Sequence, residues 1–134
     1  MADSFGFARK VNLPFAEAVR AVRVAATREG FELLATNGAG ETGEGPELAI
    51  FDLHDRELWT ESLRLRPEAA LVFPCRAVVK AIDGGNAMLY VTDPVQMLMP
   101  LARSELEPVI ADLNRRLWRT YLRVVVQDAG FGDV

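Results

Sequence analysis

Residues 71–94, LVFPCRAVVKAIDGGNAMLYVTDP, hold two apolar runs separated by Asp83, Gly84, Gly85 and Asn86. Glycines at the centre of such a break supply the positive φ that a tight reversal needs, and the flanking runs are rich in β-branched and aromatic residues. The stretch is therefore expected to be an antiparallel hairpin. Its first strand is expected over about Ala69 to Ile82, interrupted at Pro74, which has no N–H to give a ladder. Its second is AMLYVT, residues 87–92.

Upstream, FELLAT (31–36) and LAIFDL (48–53) read as two further strands, and Phe5, Phe7 and Val11 as a first one. Apolar residues at 15, 18, 19, 22, 25 and 26 change the period to that of a helix, with Asn12 as its cap, Pro14 in its first turn and Gly30 as its stop. A shorter helix is expected over 55–65, capped by Asp55, with Leu58, Trp59, Ser62 and Leu65 along one side and Pro67 ending it. Downstream, Asp93-Pro94 leads into a helical turn containing Met97, Leu98 and Met99. Ser104 and Glu107 then match a capping box ahead of the longest helix. That helix carries Leu106, Val109, Ile110, Leu113, Leu117, Tyr121 and Leu122 on its apolar face. The order strand, helix, strand, strand, helix, hairpin, helix lacks regular βαβ alternation. It implies an α+β two-layer sandwich, a largely antiparallel sheet of about five strands with helices mainly on one face.

At 134 residues, half of them hydrophobic, the chain fits one domain over 1–134, able to bury roughly two-thirds of its unfolded surface. No apolar stretch nears the roughly 18 residues of a membrane span, and MADSFGFARK lacks the apolar core of a secretory signal. The expectation is a cytoplasmic protein with no membrane partner. The formal charge of −4 and the pI near 5.0 speak against general nucleic-acid binding. Arg115, Arg116, Arg119 and Arg123 read as solvated charges near the end of the last helix rather than as an anion or RNA site.

Gly38 to Gly43, GAGETG, match the letters of the dinucleotide fingerprint. No helix is expected to follow them, and Glu41 and Glu44 would repel phosphate, so the segment reads as a connector. His54, the only histidine, lies between Asp52 and Asp55 at a strand end, where a turn-capping role is weighed against a functional one. Cys75, the only cysteine, is either a buried structural thiol or a thiolate activated by a positive neighbour. One histidine and one cysteine exclude a Cys/His zinc site, and no metal or cofactor is expected. No catalytic triad, paired-carboxylate arrangement or P-loop is present, which leans away from an enzyme.

The segments LPFAEAVRAVRVAATREGF, RELWTESLRLRPEAALVFPCRAVV and YVTDPVQML together resemble the domain of unknown function 302 family of small bacterial and archaeal proteins. The resemblance covers Phe5 to about Tyr121, and it implies a compact α+β domain, often a homodimer, without an established biochemical activity. The chain departs from the family pattern at His54-Asp55-Arg56, where members commonly carry Cys-Asn-Pro, and in the short connector NGAGETGEGPE.

Three functions follow as expectations. The first is a homodimeric accessory module binding a small molecule or partner protein near His54, Cys75 and Asp93. The second is a thiol-dependent enzyme or sulfur carrier using Cys75 with His54 as its base. The third is a purely structural dimer in which Trp59, Trp118 and the segment Met97 to Met99 supply apolar contact.

Overall fold

The hairpin forms around a three-residue loop. Ile82 pairs with Asn86, and between them Gly84 and Gly85 take φ of 79° and 73°, values that a residue with a Cβ adopts only under strain. The computed structural model describes residues 6–35, 47–71, 74–97 and 105–128. Its elements are β1 (Gly6–Val11), α1 (Phe15–Arg28), β2 (Glu32–Ala35), β3 (Leu48–His54), α2 (Arg56–Leu65), β4 (Cys75–Ile82), β5 (Asn86–Thr92), the single turn α3 (Pro94–Met97) and α4 (Glu107–Asp128). The strands make one sheet in the order β1-β5-β4-β3-β2, antiparallel at every junction. The result is the α+β fold that the alternation of periods implied.

Strand residues alternate between the two faces. Ala49, Phe51 and Leu53, then Cys75, Ala77 and Val79, then Ala87, Leu89 and Val91 are all buried on one face. Against them lie Ala18, Ala21, Val22, Ala25 and Ala26 of α1, small enough to bring the helix close to the sheet. Ile110, Leu113, Leu117, Tyr121 and Val124 of α4 complete the core. A fully buried leucine such as Leu117 contributes about 1.5–3 kcal/mol.

Three local readings change. Residues 67–71 form a 3-10 turn, so β4 begins at Cys75 and Pro74 precedes the strand instead of interrupting it. The turn is set where the Ala69 N–H donates to the Arg66 carbonyl and the Ala69 side chain is drawn into the core. The α1 N-cap position is Pro14 instead of Asn12, and Pro14 makes no side-chain cap bond. Leu122 points outward, and Val124, one turn beyond Tyr121, takes the core position. Ser104, Leu98, Met99 and the connector with its glycine motif lie outside the described residues.

The predicted stop at Gly30 is a Schellman motif. With φ of 86° there, the Phe31 N–H donates to the Ala26 carbonyl and the Gly30 N–H to that of Thr27. Asp55 caps α2, its Oδ1 accepting from the Leu58 N–H at 3.2 Å.

Candidate functional site

His54 ends β3, Cys75 opens β4 opposite Leu53, and Asp93 follows β5, so the topology brings all three to one end of the sheet. His54 and Cys75 line a common crevice with Phe31, Trp59 and Leu113. Its volume is about 10 Å³, room for a single water at most. Asp93 does not line it. Its buried carboxylate accepts from the Val95 N–H at 3.0 Å and, at longer range, from that of Gln96, so it caps α3. The His54 ring lies 5.8 Å from that of Trp59, in a tilted pair.

Cys75 is only 3% exposed, and burial pushes its thiol up to about 12. Arg76, its neighbour in sequence, projects from the opposite face and reaches Asp52, its Nε donating to Oδ1 at 2.8 Å. The positive charge that would activate the thiol is therefore directed away from it. Among the described residues no buried side-chain polar atom lacks a partner, and no three His, Cys, Asp or Glu side chains are grouped to hold a metal.

The arginines of α4 are not simply solvated. Arg116 is mostly buried, its guanidinium 4.3 Å from the centre of the Phe31 ring. Its Nε donates to the Glu29 carbonyl at 2.8 Å, and its Nη1 to Asp55 at 2.9 Å and Asp112 at 3.3 Å. One side chain thus joins the end of α1, the cap of α2 and α4. Arg123 and Arg119 meet the buried Glu29 carboxylate at 3.0 and 3.5 Å. Spacing within α4 reveals only the Asp112 contact, one turn before Arg116, because Glu29 and Asp55 are distant in the chain.

The larger feature is the other face of the sheet, where none of the described strand residues is fully buried. The cross-strand register sets Ala8 beside Tyr90, Tyr90 beside Val78 and Val78 beside Ile50, an apolar row four strands wide. Gly6, Thr92, Arg76 and Asp52 form the next row on one side, and Lys10, Met88, Lys80 and Leu48 the next on the other. Gly6 and Ala8 project little, so a trough of about 260 Å³ opens beside Tyr90, lined also by Val78, Thr92 and Arg76. Gly6 is required by packing: a Cβ there would lie 2.2 Å from the Val91 carbonyl oxygen. The sequence did hold a sign of this face. LAIFDL and AMLYV are nearly continuous apolar runs, the pattern of strands whose two faces both meet other groups.

The family model for the domain of unknown function DUF302 matches residues 7–124. The chain belongs to the DUF302 family. The crystal structure of an uncharacterised conserved DUF302 protein from Bacillus stearothermophilus is similar in fold, with a TM-score of 0.69 at 19% identity. The alignment covers 87% of this chain and 94% of that one. At that identity the likeness concerns the fold alone, and the DUF302 name carries no activity with it. Among curated proteins nothing matches. No described helix is long and apolar enough to cross a membrane.

Proposed function

We propose that this DUF302 chain is a non-catalytic binding module whose working surface is the open face of the sheet, with a small apolar molecule docking in the trough. The observation that carries the reading is the trough itself. At about 260 Å³ it approaches the roughly 300 Å³ at which ligand pockets begin, whereas the crevice at His54 and Cys75 holds at most a water. Burial pushes the Cys75 thiol up to about 12 and keeps it protonated at neutral pH, so catalysis or sulfur transfer through a Cys75 thiolate is the weaker alternative. The roles assigned to His54, Cys75 and Asp93 are then to close the sheet end and cap the turn beside it.

A homodimer is the companion proposal. The apolar row continues past the trough through Val78 to Ile50, with exposed Leu34 nearby, and exposed apolar surface of this kind marks contact with a partner. A second copy covering the β2 and β3 half leaves the trough open at the β1 edge.

The test is titration with phenylnaphthylamine, a neutral apolar fluorophore, together with light scattering. Saturable binding at one probe per chain is expected in the parent. It is lost in Ala8→Leu, which fills the trough, while the unfolding midpoint is retained. No binding by the folded parent, or unchanged binding by Ala8→Leu, would overturn the trough as the site. A monomer at micromolar concentration counts against the dimer and leaves the trough reading intact.

A further inference from the structure

We infer that the trough selects a ligand bearing an anionic group, an aromatic or other flat apolar carboxylate or sulfonate, with the anion held by Arg76. The inference rests on the trough as the binding site and adds the chemical class of its occupant. Among the described residues no carboxylate lines the trough, and Arg76 is its only charged lining residue. The chain's only two lysines, Lys10 and Lys80, stand on the same face in one cross-strand row, on either side of Met88. Each lies two residues along its strand from a lining residue, Ala8 or Val78, a step of about 6.6 Å. Both are exposed, with no carboxylate partner among the described residues. A chain of net charge −4 thus gathers its lysines and an arginine around one apolar depression.

The Arg76 geometry suits this role. Its Nε is taken by Asp52, whose side chain is 18% exposed, while that of Arg76 is 57% exposed. Asp52, its cross-strand neighbour on β3, therefore orients the guanidinium, and among the described residues the two Nη groups remain for an oxyanion, which a guanidinium binds through paired hydrogen bonds. Thr92 steadies the same point of the backbone: its Oγ1 accepts from the Arg76 N–H at 2.9 Å and lies 3.2 Å from the Arg76 carbonyl, to which it donates. Val78, Tyr90 and Ala8 present the apolar surface beside it.

The experiment compares two fluorophores of nearly equal shape, neutral phenylnaphthylamine and anionic anilinonaphthalene sulfonate, on the parent, Arg76→Gln, Lys80→Gln and Ala8→Leu. The anionic probe is expected to bind the parent about tenfold more tightly than the neutral one, with a preference that falls as salt is raised. Arg76→Gln should remove that preference and leave the neutral probe within about twofold. Lys80→Gln should reduce it by a smaller factor, since the ammonium acts only at a distance. Ala8→Leu should exclude both probes. Equal affinity for both probes, or a preference surviving Arg76→Gln, overturns the anion assignment while leaving an apolar trough. Failure of both probes to bind the folded parent overturns the trough reading and this inference with it. A parent-like response in Ala8→Leu places the anionic probe elsewhere and also overturns the inference.

Discussion

Raising the pH from about 8 to about 10 should cost the native protein about 2 kcal/mol through Cys75 alone. The thiol has its ordinary value near 8.5 in the unfolded chain, and burial on the core face of β4 pushes it up to about 12 in the fold. Between those values the unfolded chain loses its thiol proton and the native chain keeps it. The native state then binds more protons, and stability falls with pH at up to about 1.4 kcal/mol per unit. The contribution is fully present below about 8.5 and is lost progressively as pH rises toward the folded value of about 12. The assay is urea unfolding of the parent and of Cys75→Ala at both pH values. Tyrosines and lysines also begin to titrate in this range, but they do so in both proteins, so the difference between the two pH-dependent losses isolates the thiol. The variant begins less stable by about 1 kcal/mol, from the lost sulfur packing, and this offset does not enter the comparison. Parallel losses in parent and variant would refute the burial argument. They would mean that the native thiol titrates near its free value, and the thiolate reading of Cys75 would return.

Two structural predictions accompany the ligand tests. Arg116→Ala removes the one cation that meets the Glu29 carbonyl, Asp55 and Asp112, and should lower unfolding stability by about 2–3 kcal/mol in denaturant titration. Arg116→Lys should recover only part of this, because an ammonium cannot reproduce the fork or lie flat over Phe31; full recovery would show that net charge alone matters. Gly6→Ala should loosen the start of β1, since its Cβ would meet the Val91 carbonyl at 2.2 Å, at a cost of about 1–3 kcal/mol and with faster amide exchange along β1. A parent-like exchange pattern there would show that the strand can shift without loss.

Wherever neighbours in sequence carried the physics, the chain could be read directly. The glycines of residues 84 and 85 announce a reversal because only a residue without Cβ enters that backbone region freely. The period of α1 and its arrest at Gly30, the cap at Asp55 and the strands on either side of the hairpin rest on the same kind of local evidence. Residues 69–71 misled for a related reason: an apolar run satisfies a strand pattern, and only the fit of Ala69 into the core selects a 3-10 turn before β4. The site was less legible. His54, Cys75 and Asp93 could be assigned to one end of the sheet from their places beside strands, but not their separation, nor the volume of about 10 Å³ of the crevice that His54 and Cys75 line. Besides Asp112 one turn earlier, the partners of Arg116 come from residues 29 and 55, and no spacing within α4 encodes those two.

By itself the sequence determined the elements, their order, the single buried-thiol candidate and an acidic chain with only two lysines. Tertiary structure decided that β1 pairs with β5 at the sheet edge, setting Gly6 and Ala8 beside Thr92 and Tyr90, and that both lysines share one face. The division has a physical cause. Caps, turns and periods follow from torsional preferences within a few residues, whereas strand order and register follow from how one whole core closes.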